Sequence, residues 1–338
     1  MTGERQRAVT MRDVAERAGV SRTAVSLVLN NRRSVALSDE TRDRVLSVAA
    51  ELGYRPNAGA RALAQQRSDW YGLVTEIVTA PFAVEVIKGA QSRALLDDKY
   101  LLIASTEADV TAETAAIERF LEQRVEGIIY AATWHRAVTV PDIAREVPTV
   151  LVNCYDVEGR FPAVVPDERT GGRRATERLL AAGHRRIGFV NLDPGIPAAV
   201  GRRHGHHDAL RAAGVAIDEA LETSGHATAD GGFTAAEALL NLPEPPTAIF
   251  CANDRMAMGA YDAIKERGLR IPDDVAVIGF DNQELIAAYL RPSLTTVALP
   301  FDEMGARGVD ILAAITAGQP TDTSIVTVDC PLLERSSV

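Results

Sequence analysis

No stretch of this 338-residue chain comes near 18 consecutive apolar residues, so no transmembrane helix is expected. The opening segment, MTGERQRAVTMRDVAERAGV, lacks the apolar core of a secretion signal, which points to a cytoplasmic protein. Cysteine is scarce. Cys154, Cys251 and Cys330 are odd in number, far apart, and form no CxxC or Cys/His ligand spacing. They read as buried free thiols, and Cys251 in the apolar run AIFCA fits that best. Enzyme signatures are missing too. There is no GxGxxG after a strand, no GxxxxGK followed by Ser or Thr, no GxSxG and no HExxH. Glu118 and Glu122 stand at helical spacing and read as a solvated face. No catalytic residue, cofactor or metal ligand is assigned, and no enzyme activity is expected.

Lysine is absent from residues 1–67, which hold twelve Arg against seven Asp or Glu, a net +5. Residues 68–338 carry −15, so the overall −10 hides a basic head on an acidic body. Such asymmetry fits a module that meets phosphate, attached to a body that does not. The length suggests two or three compact units, and the 46% hydrophobic and 24% charged content is that of an ordinary globular protein.

The head reads as short helices. Thr10 can cap the first, with Asp13 completing a short capping box, and Met11, Val14, Ala15 and Ala18 follow helical spacing. Gly19 suits a left-handed turn. Ser21 caps a second helix, with Ala24, Val25, Val28 and Leu29 on one face. Ser38 caps a third, with Asp39 and Glu40 at its positive end and Gly53 beyond its last turn. PNAGARALAQQRS follows, too short and glycine-weakened to be a stable helix alone.

From residue 70 the rhythm changes. β-type runs (YGLVTEIV, YLLIAS, GIIYAA, TVLVNC, RRIGFVNL, TAIFCAND, VAVIGFD) alternate with amphipathic helical segments. This alternation predicts parallel sheets covered by helices on both faces, long enough for two doubly wound subdomains. Ligands of such sheets bind at the carboxyl ends of the strands, and a cleft between subdomains is a favoured pocket.

The segment VTMRDVAERAGVSRTAVSLVLN (9–30) resembles the helix-turn-helix of the lactose-repressor (LacI) family, and ELGYRPNAGARALA (51–64) resembles that family's third-helix end and hinge helix. The likeness continues in order through AAGHRRIGFV (181–190), PPTAIFCANDRMAMGA (245–260), GLRIPDDVAVIGFDN (268–282) and LRPSLTTV (290–297). The resemblance implies an α/β fold: an all-α helix-turn-helix headpiece on a periplasmic-binding-protein-like effector domain of two doubly wound parallel-sheet subdomains. It divides the chain into a DNA-binding domain (1–56), a hinge helix (57–67) and an effector-binding and dimerisation domain (68–338). Within the last, the N-subdomain takes about 68–166 and 299–322, and the C-subdomain about 167–298 and 323–338.

By that resemblance the second helix enters the major groove. Arg22 and Thr23 reach base edges, with Leu27 one turn on. Arg can hold guanine bidentately, and Thr can offer a hydroxyl or a methyl. Leu27 stands where many relatives are polar, and Ala24 replaces a common Thr, so thymine-methyl contact takes the place of a hydrogen bond. Thr10, Ser21, Ser26 and Asn30 match DNA-contacting positions, the last three backbone contacts that set register. Asn57, Ala60 and Leu63 match positions facing the minor groove, where an apolar wedge such as Leu63 can part a base step.

The resemblance places the effector among Phe82, Asn153, Asp167, Arg202, Asn253 and Asp281. One guanidinium with carboxylates and amides suits a polyhydroxylated ligand. The positions used by purine-binding relatives hold Ile196, Ala198 and Ala227, so a sugar or related metabolite is expected. His206 replaces a Phe of the family pattern. His204, His206 and His207 read as a helix start rather than a metal site. The expected partners are a pseudo-palindromic double-stranded operator, a small-molecule effector and a second copy of the chain, without a membrane. The chain ends without a leucine heptad, so a dimer is expected. A solute-binding protein of the periplasmic type, without DNA function, is the alternative, and the missing export signal and the helix-turn-helix weigh against it.

Overall fold

The computed structural model describes residues 9–29, 37–55, 68–320 and 322–338. The chain forms two compact units, 1–68 and 69–338. Three helices build the first: α1 (Met11–Ala18), α2 (Arg22–Leu29) and α3 (Asp39–Glu51). The expected caps are present. Thr10 and Asp13 bond reciprocally at α1, and the side chains of Ser21 and Ser38 accept from Ala24 N and Thr41 N at 3.1 and 3.3 Å. Gly19 takes φ +66° after α1 and Gly53 φ +64° after α3, conformations that cost a side chain energy. Val14, Val25 and Val45, one from each helix, are fully buried and centre the core. Arg44 of α3 donates to Ala18 O at 3.1 Å, closing the carboxyl end of α1.

The second unit holds two six-stranded sheets. The first is built from β1 (Trp70–Thr75), β2 (Tyr100–Ser105), β3 (Ile128–Val138), β4 (Thr149–Asp156), β5 (Ala163–Pro166) and β11 (Ile325–Val328), in the order β11-β5-β4-β3-β1-β2 and parallel throughout. The second contains β6 (Ile187–Asn191), β7 (Glu222–Ser224), β8 (Ala248–Cys251), β9 (Ala276–Asp281), β10 (Thr295–Ala298) and β12 (Leu332–Leu333), ordered β12-β10-β9-β8-β6-β7. Only β12 runs antiparallel to its neighbour among these described strands. Helices α4 (Pro81–Leu95) and α11 (Phe301–Thr316) cover one face of the first sheet, and α5 (Val110–Glu122) the other. On the second sheet α6 (Glu168–Ala181) packs on α7 (Pro197–Ala212), and α8 (Ala229–Leu240) on α9 (Asp254–Glu266). The short α10 (Glu284–Ala287) follows β9. Central strands read as continuous apolar runs because both faces are covered. The cysteines are free and buried.

The chain crosses between the subdomains three times: after β5, after β10 and after β11. This corrects the expected boundary. The family division places residues 325–328 in the C-subdomain with the rest of 323–338, yet β11 pairs with β5 and extends the first sheet. The apolar run IVTV reads as a strand, but which sheet edge accepts it depends on a partner some 160 positions away. Only β12 and the last residues belong to the second sheet.

Candidate DNA-reading surface and ligand cleft

In the first unit, Ser21, Arg22 and Thr23 are exposed at the amino end of α2, with Val25 and Val28 turned into the core. Ser26 and Leu27 are half-buried. The exposed edge therefore carries one guanidinium and two hydroxyls, that of Ser21 engaged in the cap, at the positive end of a helix dipole, suited to phosphate and base edges together. Thr10 is exposed and occupied in capping α1. Asn30, Asn57, Ala60 and Leu63, and the whole expected hinge, lie outside the described residues.

In the second unit a cleft opens between the two sheets, at the carboxyl ends of their strands. Phe82, Asn153, Arg202, Asn253 and Asp281 all line it. Arg202, on α7, is buried. Its Nε donates to Glu168 Oε2 at 2.7 Å, and one terminal nitrogen donates to Ala252 O and lies 3.5 Å from Asp281 Oδ1. Its guanidinium carbon sits 3.8 Å from the centre of the Phe280 ring. Close approach of α6 and α7 sets this geometry: a Cβ on Gly172 would lie 2.4 Å from Arg202 O.

The carboxylates of the cleft differ in charge. Burial pushes Asp281 up to about 7; Arg202 opposes this and Glu168 adds to it. Burial also works against Glu168, but Arg202 and His135 outweigh it and hold its carboxyl below the ordinary range. Beneath them Asp254 is fully buried, accepts from Thr296 Oγ1 and Gln283 N at 2.7 Å each, and is held well above the ordinary range by burial and by Asp281. Asp281 takes φ +104° and Asn153 φ +59°, strained values for residues with side chains and typical of ligand sites.

Residues 10–57 match the family described as bacterial regulatory proteins, lacI family, and residues 176–338 match a periplasmic binding protein-like domain. The chain is 37% identical over 331 residues to the HTH-type transcriptional regulator GalS of Salmonella typhimurium, covering 98% of this chain and 96% of that one. It is 34% identical over 303 residues to the ribose operon repressor of Haemophilus influenzae, covering 90% of each. The chain belongs to the lacI family. Among solved structures, the Lac repressor bound to ONPG in the repressed state matches with TM-score 0.81 at 30% identity, over 98% of this chain and all of that one. A complex of the transcriptional regulator CelR with cellobiose matches with TM-score 0.69 at 30% identity, over 98% of this chain and 100% of that one.

This regulator therefore has the expected fold, a helix-turn-helix head and two parallel-sheet subdomains. Its cleft differs from the expected set in several details. Asp167 does not line it: the carboxylate caps α6, accepting from Thr170 N at 3.0 Å, and Glu168, one residue on, turns inward. A helix's first turn rotates successive side chains by about 100°, so a one-residue offset changes the face. Asn253 caps α9 through Met256 N at 2.8 Å and donates to Ala227 O at 3.2 Å, so its amide is already partnered. Asn153 likewise donates to Ala132 O at 3.0 Å. Phe82 stacks on Phe301, ring centres 4.8 Å apart, which covers one face. His206 fills the place of the family's Phe as a ring: it stacks on Phe189 at 4.9 Å, bonds to Thr176 at 2.8 Å, and burial lowers its pKa to about 4. His207 bonds to Glu222, and His204 is exposed.

Sequence reading missed Thr133, Trp134, His135, Glu168 and Phe301, all of which line the cleft. The first three come from a register break in β3, between Ala131 and Arg136, that no alternation pattern reveals. Their available signal was composition: a Thr-Trp-His triplet directly after the apolar run GIIYAA.

Proposed function

We propose that this regulator is a repressor whose operator affinity is set by a small polyhydroxylated ligand held in the cleft. The observation that carries this reading is the joining of two unlike parts in one chain. One is a basic headpiece exposing Ser21, Arg22 and Thr23; the other is an acidic domain whose cleft gathers Arg202, Asp281, Glu168 and two amides. The likeness to sugar-operon repressors and to a cellobiose complex supports a saccharide. Ligand bridging the two sheets changes their relative angle, and residues 57–67 carry that change to the headpiece. The coupling is reciprocal, so DNA and ligand alter each other's affinity by one factor.

The regulator works as a dimer on a pseudo-palindromic operator, in the cytoplasm with the DNA it reads, and catalyses no reaction. Exposed apolar side chains on α4 and the edge strand β2, among them Val84, Leu95, Tyr100 and Ile103, support pairing through that side. A Lac repressor dimer bound to operator is a solved relative.

The test is selection of duplexes from a random library by the full-length protein at physiological salt, followed by titration with mono- and disaccharides. A recovered inverted repeat whose affinity changes with one saccharide, in wild type but not in Asp281→Ala or Arg202→Ala, is the expected result. Recovery of no common sequence would refute the DNA assignment, and an unchanged response in both variants would refute the cleft.

A further inference from the structure

β3 is longer than its neighbours, and its register on β4 breaks between Ala131 and Arg136. Before the break it is a buried sheet strand; after it, Arg136 resumes pairing with Cys154. Residues 132–135 are thereby released from the ladder, and Thr133, Trp134 and His135 enter the cleft lining. A bulge re-aims side chains in this way beside binding sites. The break costs ladder hydrogen bonds, offset in part where Glu76 accepts from Thr133 N at 3.0 Å and pairs with Arg136. His135 Nδ1 reaches across the cleft to Glu168 Oε1 at 3.3 Å. Trp134 remains 41% exposed, and no ring stacks on it among the described residues.

The charges of the cleft are already matched. Arg202 is engaged by Glu168, by Ala252 O and by Asp281, and one face of its guanidinium lies on Phe280. No other Arg or Lys is among the lining residues. A phosphate or carboxylate entering the cleft would meet two acids and a cation that they already hold. An uncharged polyol meets carboxyl groups whose oxygens accept its hydroxyls, Glu168 ionised and Asp281 held high by burial. One face of a pyranose or furanose ring consists of C–H groups, and an unstacked indole offers that face an apolar, electron-rich surface.

From the bulge and this charge balance we infer that the cleft selects uncharged saccharides over their phosphate esters and acid forms, with Trp134 as the specificity-determining platform for the sugar ring. The inference rests on the cleft being the ligand site, as stated under Proposed function.

The chain has two tryptophans, which makes the inference readable. Trp70 begins β1, at the strand end away from the cleft, beside Tyr100 at 5.7 Å. In full-length Trp70→Phe, excitation selective for tryptophan reports Trp134 alone. Titrating it with ribose, galactose, glucose and cellobiose should give a saturable emission change with at least one of them. Ribose 5-phosphate, galactose 1-phosphate and galacturonate should bind at least 100-fold more weakly than the matching neutral sugar. Trp134→Ala should weaken the bound sugar at least tenfold, and Trp134→Phe should recover most of that loss. If Trp70→Phe does not fold, loss of the ligand-induced emission change in Trp134→Phe, made in the native chain, reads the same contact. An anionic form binding within tenfold of its neutral sugar overturns the inference, as does a neutral panel in which nothing binds. A sugar that binds and is lost in Asp281→Ala, yet is unaffected by Trp134→Ala, overturns only the platform. A sugar that binds equally well to Asp281→Ala removes the cleft itself, and with it the reading beneath.

Discussion

Asp281→Asn should remove part of the pH dependence of the effector domain. Asp281 is buried beside Glu168 and Arg202 and above Asp254, with Arg255 and Gln283 adding smaller stabilising contributions, and burial raises its pKa from 3.8 to about 7. Between pH 4 and 7 the folded state keeps this proton while the unfolded chain has released it. The folded state then binds more protons, so stability falls as pH rises through that window and levels off above it. Each pH unit is worth about 1.4 kcal/mol, and the window spans roughly three, giving about 4 kcal/mol. Water entering the cleft relieves part of this, so about 2 to 4 kcal/mol is expected. Asn cannot ionise. The measured quantity is the unfolding free energy of wild type minus that of Asp281→Asn, from urea curves at pH 4.5 to 8. That difference should fall with pH and flatten near 7.5. Glu168 titrates in the opposite sense, its stabilisation being lost as pH falls, but it is present in both proteins. A difference that stays flat or climbs with pH would refute the account of Asp281 as a carboxyl protonated by burial.

Gly172→Ala should push α6 from α7, since the new Cβ would sit 2.4 Å from Arg202 O; a loss of about 1–3 kcal/mol in urea unfolding, with weaker saccharide binding, is expected. Val25→Ala empties a fully buried site in the headpiece and should cost roughly 1–3 kcal/mol there, read as lower helical circular dichroism of the head and lost operator binding with ligand binding intact. Arg22→Ala should cost about 1–3 kcal/mol in operator binding and flatten base preference at one pair of each half-site, whereas loss of a phosphate contact would weaken all sequences alike.

The sequence by itself settled the three described helices of the headpiece. Its caps (Thr10, Ser21, Ser38) and left-handed glycines (Gly19, Gly53) are local, each decided within a few residues along one helix, and its core valines are marked by the helical spacing of each helix. The central strands were equally plain, because strands buried on both faces are apolar from end to end. Arg202, Asp281, Asn153, Asn253 and Phe82 reach the cleft because each follows or faces the carboxyl end of a strand, where such sheets gather ligands. Tertiary structure alone decided the rest. Short strands such as β5, β7 and β11 carry too few residues to show a period, and their pairing is long-range, which is why 325–328 joined the first sheet. Glu168 rather than Asp167 faces the cleft because a helix start fixes rotation to within one residue. Trp134 and His135 arrive through a register break, a mismatch between two strands that neither strand's sequence contains. Local patterns are written in the order of residues; which group meets which across a cleft is settled only when distant segments pack.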